Sequence, residues 1–168
     1  MILAVDVQYS GDEAVAAGVL FDGWQDEKAQ KEYVSRMAGA AAYEPGRFFK
    51  RELPPILKLI EEHHLQPTCI LVDGFVFLDG FSEAGLGKHL FDALEGRAAV
   101  IGLAKKRYKG IDPRYEVYRG RSRRPLYVTS VGIEVEEAKG YILSMHGRNR
   151  LPTMIKRADQ ICRGMGGG

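Results

Sequence analysis

Cysteine is scarce in this chain, and so are long apolar runs. The 168 residues include two cysteines, Cys69 and Cys162, without the paired spacing that is typical of zinc or redox sites. We therefore expect both thiols to be buried and unreactive. No apolar run approaches the length of a bilayer span, and residues 1–20 lack the basic and apolar regions of a secretory leader. These absences favour a cytoplasmic protein with no membrane partner.

The composition is that of an ordinary globular protein. Hydrophobic residues make up 45% of the chain and charged residues 27%, and a length of 168 residues suits one domain with a real core. No repeat or low-complexity linker divides the sequence. We assign residues 1–164 to a single domain and the glycine-rich residues 165–168 to a flexible tail.

Apolar strand patterns alternate with helical ones along the chain. The stretches "MILAVDVQY" and "DEAVAAGVLFD" predict a β-hairpin, and "KAQKEYVSRM" fits either a third strand or a helix. The later stretches "TCILVDGFVF", "AAVIGLAKK" and "RPLYVTSVGI" predict buried strands. Helical patterns follow Pro54 and Pro55, cover residues 83–95, and recur in "EVEEAKGYILSMHG" and "TMIKRADQICRG". This order predicts an α/β fold with a mixed sheet flanked by helices, an antiparallel hairpin first and parallel strands after it.

Three acidic residues stand where a carboxylate is costly. Asp6 interrupts the apolar first strand, Asp73 ends a later apolar strand, and Glu52 lies at the start of a helix beside the double proline. An ionised carboxylate in or beside a buried strand is unfavourable unless it is paired or binds a metal. If the three converge at one sheet edge, their oxygens form the ligand set that magnesium or manganese prefers.

Each of these acids also has a purely structural explanation. Asp6 could pair with a lysine such as Lys105. Asp73 could form a turn with Gly74, and Glu52 could interact favourably with the positive end of a helix dipole. The spacing of the three acids does not by itself select a reaction.

A basic segment covers residues 105–124. Asp112 and Glu116 are the two acids within it, and Tyr108, Tyr115 and Tyr118 are interleaved with its positive charges. Its positive residues are Lys105, Lys106, Arg107, Lys109, Arg114, Arg119, Arg121, Arg123 and Arg124. This pattern suits a phosphate backbone with bases or sugars stacked beside it, and a solvated basic loop is the alternative.

Six motifs follow one another along the chain: "AVDVQY", "YEPGRFFKRELPP", "CILVDG", "VIGLAKKR", "PLYVTSVG" and "RLPTMIKRAD". In this order they resemble the endonuclease V family, the deoxyinosine 3′ endonucleases, and they span nearly the whole chain. The resemblance implies a ribonuclease-H-like fold. It also implies a magnesium-dependent cut in strands that contain inosine, which is deaminated adenine, one nucleotide away on the 3′ side.

The resemblance implies roles for individual residues in the reaction. Asp6, Glu52 and Asp73 would be the metal-binding acids, the same set that their positions in strands and helix single out. Lys105 would be the active-site lysine that contacts phosphate. Asp159 matches a late position near the metal site that is His or Asp in the family.

Further residues would contact the nucleic acid. Tyr43 falls on the aromatic of the family's strand-wedging loop, with Pro45 and Gly46 beside it, although a loop tyrosine that covers the core edge is the alternative. Gly74 would let the backbone approach an extruded base. We expect the strand's backbone to be bound by the basic segment, namely by Lys106, Arg107 and the arginines from Arg119 to Arg124, including Arg121 and Arg123.

The chain also departs from the family pattern. Phe75 and Asp79 occupy the positions where the family usually has histidines after "VDG", and Asp79 could either bind metal or repel phosphate. The sequence begins at the first strand, and its stretch after Lys109 is short. We therefore expect a shortened and divergent member of the family.

Three functions remain open at this point. The first is a monomeric nuclease with Mg²⁺ as its cofactor, replaceable by Mn²⁺, that cuts DNA or RNA containing inosine or distortions. The second is a relative that binds nucleic acid and cuts it poorly or not at all, which the replaced histidines favour. The third is a ribonuclease-H-like nuclease for structured strands.

Overall fold

The computed structural model describes residues 1–39 and 49–164, so the predicted glycine tail at 165–168 lies outside the described residues. Within these two ranges it contains seven strands and four helices. The strands are β1 (Ile2–Ser10), β2 (Glu13–Phe21), β3 (Lys31–Met37), β4 (Cys69–Asp73), β5 (Ala99–Ala104), β6 (Glu116–Val117) and β7 (Leu126–Val131). The helices are α1 (Phe49–Glu62), α2 (Leu86–Ala93), α3 (Val135–Ser144) and α4 (Thr153–Cys162).

All the described strands form one mixed sheet in the order β3-β2-β1-β4-β5-β7-β6. The first three strands are antiparallel, and β1, β4 and β5 run parallel to one another, as predicted. The ambiguous third segment is a strand, because its residues pair with β2 along its length. The last two strands run antiparallel to their neighbours, and β6 is only two residues long, too short to leave a periodic pattern.

The sheet separates two apolar layers. Because side chains alternate along a strand, residues such as Leu3 and Ile70 face α1 and α2, whereas Ala4 and Leu71 face α3 and α4. The central strands are therefore buried on both faces, which explains their continuous apolar sequences. Among the described helices, none is long and apolar enough to cross a bilayer.

Helix α1 begins earlier than the double proline suggests. Its first residue is Phe49, so Pro54 and Pro55 lie inside the helix rather than at its start. Neither proline has an N–H to donate to the carbonyl four residues earlier, so two hydrogen bonds of this part of the helix cannot form. Burial of Pro55 together with Ile56, Leu59 and Ile60 against the sheet holds the helix in place. Glu52 consequently lies in the first turn, upstream of the prolines.

Candidate active site

Two carboxylates lie side by side on neighbouring parallel strands. Asp6 belongs to β1 and Asp73 is the last residue of β4. The parallel register pairs Val5 with Val72, so the two aspartates that follow occupy adjacent positions in the sheet. Both side chains project toward the layer that contains α4, because each lies an even number of residues from a strand residue in that layer. The sheet thus brings together two acids that are 67 positions apart in the chain.

Glu52 joins them from the first turn of α1. Burial, followed by repulsion from Asp73 and Asp6, raises the pKa of Glu52 to about 8. Burial, followed by repulsion from Asp73, likewise raises the pKa of Asp6 to about 7, even though the Val7 N–H donates to Asp6 Oδ1 at 2.9 Å. Interaction with the helix dipole alone does not explain the raised pKa of Glu52, since the positive end of a helix lowers the pKa of an acid.

Lys105 follows β5 and contacts the second aspartate, not the first. Its ammonium group donates to Asp73 Oδ2 at 3.1 Å. Burial lowers the pKa of Lys105, but attraction to Asp73, the hydrogen bond to Asp73 and attraction to Asp6 and Asp159 together outweigh it, so the pKa lies above its ordinary value. The structural explanation of Asp6 as the partner of Lys105 is therefore wrong. Attraction to Lys105 lowers the pKa of Asp6 and attraction to Arg51 lowers that of Glu52, but burial and repulsion outweigh both, so the two pKa values stay raised.

Helix α4 adds further polar atoms to this cluster. Asp6, Asp159 and Cys162 each offer one atom within 4.8 Å of the others. The Arg163 Nε donates to Asp159 Oδ1 at 2.8 Å, and the Cys162 thiol donates to the Asp159 carbonyl at 3.2 Å. Burial raises the pKa of Cys162 to about 12, so this cysteine is a protonated thiol at neutral pH.

The cluster fits a hard divalent cation. A metal that displaces protons from Asp6 and Glu52 relieves the repulsion that raises their pKa values, and oxygen atoms are the ligands that Mg²⁺ and Mn²⁺ accept. Asp159 adds a carboxylate on the side of Asp6. The residues present are thus those of an acidic metal site rather than a thiolate site.

A cavity of about 480 Å³ opens directly beside the acids. Glu52, Asp73 and Lys105 form its polar wall, and Gly74 lies at its edge with φ +145°, a conformation that favours glycine. Its other walls are mainly apolar and aromatic, and they include Phe75, Leu78, Leu86 and Tyr108. One side of the cavity therefore carries the charge for phosphate chemistry, while the other suits a flat ring.

Comparison with known proteins identifies the family. A family model described as Endonuclease V matches residues 1–124, which is well over half of the chain. The chain belongs to the endonuclease V family.

Two curated endonuclease V proteins match over most of the chain. The protein from Geotalea uraniireducens is 30% identical over 182 residues, which cover 95% of this chain and 75% of the relative. The protein from Streptomyces avermitilis is 28% identical over 183 residues, covering 96% of this chain and 79% of the relative. Family membership identifies the chain as a nuclease, in a family of metal-dependent phosphodiester hydrolases.

Solved endonuclease V structures share the fold. The Streptomyces avermitilis structure superposes with a TM-score of 0.74 at 24% identity, covering 97% of this chain and 79% of that one. The Ciona intestinalis structure, a complex with a 24mer DNA that contains an inosine followed by a ribo-adenosine, gives 0.79 at 20% identity, covering 97% and 84%. These structures have a ribonuclease-H-like fold, so the predicted fold class is confirmed.

The predicted nucleic-acid contacts lie in several places. The wedge residues Tyr43, Pro45 and Gly46 fall outside the described residues. Gly74 lies at the cavity beside the acids. The side chains of four basic residues are exposed and therefore accessible to a strand: Lys106, Arg107, Arg121 and Arg123.

Arg119 is an exception within the basic segment. Only 5% of its surface is exposed, and its guanidinium donates to the carbonyls of Met145, Gly147 and Asn149 at 2.6 to 2.9 Å. The expectation that Arg119 binds the nucleic-acid backbone is therefore wrong. In the sequence, Arg119 belongs to the same basic segment as Arg121, Arg123 and Arg124, and only its tertiary contacts distinguish it from them.

The two residues that replace the family's histidines have separate structural roles. Phe75 lines the cavity and lies 6.2 Å, centroid to centroid, from the ring of Tyr108. The Asp79 carboxylate accepts hydrogen bonds from the backbone N–H groups of Phe81, Ser82 and Glu83, which hold its pKa well below its usual range. Asp79 therefore organises a turn. Among the described residues, the group close enough to share a metal consists of Asp6, Asp159 and Cys162, so Asp79 lies outside it, as do Glu52 and Asp73.

Two features of the site do not follow from the sequence. The Arg150 guanidinium donates to the carbonyls of Lys105 and Pro125, which fixes the backbone at Lys105. The Arg51 guanidinium lies 3.7 Å from the centroid of the Tyr9 ring, next to Glu52. Neither contact is predictable from spacing, because the partners are 25 to 45 residues apart in the chain.

Proposed function

We propose that this protein is an endonuclease that cleaves the phosphodiester bond on the 3′ side of inosine in DNA or RNA, with Mg²⁺ as its cofactor and Mn²⁺ as a substitute. The observation that carries the proposal is the shared wall of the cavity. Glu52 and Asp73 belong both to the acidic cluster and to an aromatic-lined cavity of about 480 Å³. A base held in that cavity leaves the strand on its 3′ side, which carries the scissile phosphate, beside the carboxylates.

Asp6, Glu52 and Asp73 hold the metal in this proposal, with Asp159 as a further ligand. Bound there, Mg²⁺ supplies a water of lowered pKa and neutralises charge on the phosphate. Lys105 stabilises the negative charge that develops on the scissile phosphate, since its ammonium lies 3.1 Å from Asp73 and its raised pKa keeps it protonated. The raised pKa values of Asp6 and Glu52 mean that metal binding competes with protons between about pH 5 and 8.

The cavity binds the extruded base and selects it by shape. The faces of Phe75 and Tyr108 and the side chains of Leu78 and Leu86 are apolar, and they suit the plane of a purine that has left the stack. Gly74 brings the backbone to the cavity edge without a side chain. Tyr43, with Pro45 and Gly46, fills the gap that the extruded base leaves in the strand.

The basic residues hold the rest of the strand. Lys106 and Arg107 directly follow Lys105, and Arg121 and Arg123 lie later in the same segment with exposed side chains. Contacts of this kind bind phosphates without regard to base sequence, and they weaken as salt concentration rises.

The second candidate is a relative that binds inosine-containing strands and cuts them poorly. Phe75 favours it, because a phenylalanine on the cavity wall has no group that can transfer a proton or bind phosphate. The half-buried acidic cluster favours the nuclease, since it is unfavourable to keep acids that repel one another in a fold without a function.

Cleavage of labelled strands tests the proposal. Single- and double-stranded DNA and RNA, with and without one inosine, are incubated with Mg²⁺, Mn²⁺ or EDTA. We expect cuts in the inosine strands with metal, none with EDTA, and a loss on the order of 100-fold in the Asp73→Asn protein. Asp12→Asn, which changes an exposed turn residue that does not line the cavity, serves as the matched control.

Each other outcome has a distinct meaning. Metal-independent binding of inosine strands without cleavage supports the second candidate. Equal cleavage of strands with and without inosine supports a nuclease for structured substrates. Cleavage by Asp73→Asn at the wild-type rate contradicts the assigned site.

A further inference from the structure

Phe81 is the most exposed large apolar side chain among the described residues. Its relative exposure is 71%, compared with 54% for Tyr118 and 53% for Leu143. A single exposed apolar residue is common on protein surfaces and carries no meaning alone. The loop that carries Phe81 and the place of that loop make this one informative.

The loop is held in one conformation by a dense set of hydrogen bonds. The Asp79 carboxylate accepts from the backbone N–H groups of Phe81, Ser82 and Glu83 at 2.8 to 3.1 Å, and the Ser82 hydroxyl also donates to it. The Leu78 N–H donates to the Glu83 carbonyl at 2.7 Å. The aromatic ring is therefore presented at the tip of a preorganised turn, so ordering it on a ligand loses little conformational entropy.

The same loop forms part of the cavity. Leu78 and Glu83, on either side of Phe81 in sequence, both line the cavity that contains Glu52 and Asp73. An antiparallel bridge between Phe77 and Ala84 closes the base of the loop. Phe81 thus belongs to a loop that contributes two residues to the cavity wall, although its own side chain is not among the lining residues.

The loop also rests on the basic segment. The backbone of Gly80 packs so closely on the ring of Tyr115 that an added Cβ would lie 2.2 to 2.8 Å from its atoms. Arg114 lies over the same ring, 5.0 Å from the centroid. The loop that carries Phe81 therefore contacts the cavity on one side and the pair formed by Tyr115 and Arg114 on the other.

We propose that Phe81 stacks on a base of the bound strand next to the extruded nucleotide, as a wedge in addition to the one expected from the sequence at residues 43–46. The inference rests on the proposed function, because it takes the strand to enter the cavity beside the acids. An aromatic side chain stacks on any base, so Phe81 adds affinity and positions the strand but does not read sequence.

The chemistry of the surroundings favours a nucleic-acid strand over a protein partner. A protein interface needs roughly 800 Å² from each side with an apolar centre, and one phenylalanine flanked by charged and hydroxyl residues does not supply it. A single-stranded nucleic acid needs an aromatic platform beside cations, and both are present here.

Fluorescence of 2-aminopurine tests the inference. The probe is a single-stranded DNA with one inosine and one 2-aminopurine placed next to it on either side, and Ca²⁺ replaces Mg²⁺ to suppress cutting. We expect wild type to bind this strand and to quench the fluorescence in one of the two placements. Phe81→Ala should bind about tenfold more weakly, equivalent to about 1.4 kcal/mol, and should lose the quenching.

Two further variants separate stacking from general loss of apolar surface. Phe81→Trp should keep both the affinity and the quenching, whereas Phe81→Leu should keep neither in full. Leu143→Ala removes an exposed apolar side chain from α3, outside the cavity, and should behave as wild type.

The possible failures are distinguishable. If wild type binds and quenches the probe and Phe81→Ala does the same, the stacking role is wrong and the proposed function stands. If wild type does not bind the inosine strand at all, both the proposed function and this inference are overturned.

Discussion

The apo protein should lose stability as the pH rises from 5.5 to 8. Asp6 and Glu52 have folded-state pKa values of about 7 and 8, above the ordinary 3.8 and 4.5. In this window the folded protein keeps protons that the unfolded chain has already released. The free energy of unfolding therefore falls with rising pH, because deprotonation is easier in the unfolded chain.

The magnitude follows from the number of protons involved. One retained proton lowers the free energy of unfolding by about 1.4 kcal/mol for each pH unit. Between pH 5.5 and 7, a single acid thus lowers the free energy of unfolding by about 2 kcal/mol. For a chain of this size, a change of that kind lowers the melting temperature by roughly 4 to 8 °C.

Urea denaturation in EDTA at a series of pH values measures this effect. Saturating Mg²⁺ should remove most of the decline, because it binds the deprotonated acids of the folded state. Asp6→Asn should reduce the slope by about half and should raise the stability of the apo protein at pH 8. The substitution removes one of the two acids with a raised pKa and also removes the repulsion that Asp6 exerts on Glu52.

Asp12→Asn, at an exposed turn, is the control and should keep the wild-type slope. A wild-type apo protein whose stability is flat or rises between pH 5.5 and 8 would refute the reasoning. The same holds if Asp6→Asn leaves the slope unchanged.

Three other substitutions have definite expectations. Lys105→Gln should lower the single-turnover cleavage rate on the order of 100-fold while leaving the Mg²⁺-induced thermal shift intact, since Lys105 donates to Asp73 and is no metal ligand. Gly102→Ala should impair cleavage at least tenfold in the same assay, because its Cβ would lie 2.5 Å from the Gly74 carbonyl and displace the cavity edge. Arg119→Met should cost about 3 kcal/mol in urea denaturation, since it leaves three carbonyls without their donor.

The strand and helix pattern is largely accessible from the sequence. The parallel strands β4 and β5 are buried on both faces, and their continuous aliphatic residues indicate this directly. The sequence of β3, "KEYVSRM", mixes charged and apolar residues and fits either a strand or a helix. Pairing with β2 makes it a strand. The predicted start of α1 is wrong. Prolines normally begin helices, but here Pro54 and Pro55 lie inside the helix, because burial of Pro55, Ile56 and Leu59 holds it in place.

Two acids of the site stand out in the amino-acid sequence alone. Asp6 interrupts a largely apolar strand and Asp73 ends an apolar one, positions at which an ionised carboxylate is unfavourable. Their partners do not stand out in the same way. Asp73 rather than Asp6 pairs with Lys105, and Asp159 reaches Asp6 because α4 packs across β1.

By itself, the sequence determined which residues are expensive to bury, where the strands run and to which family the motifs belong. The first two properties are local, since they depend on residue type and on periods of two or 3.6 along the chain. The family resemblance depends on the six motifs and their order. Only the tertiary structure decided that Arg119 is a core residue and that the exposed Phe81 lies in a loop that contributes to the cavity wall. Such differences depend on contacts between distant segments, and the pattern of neighbouring residues carries no record of them.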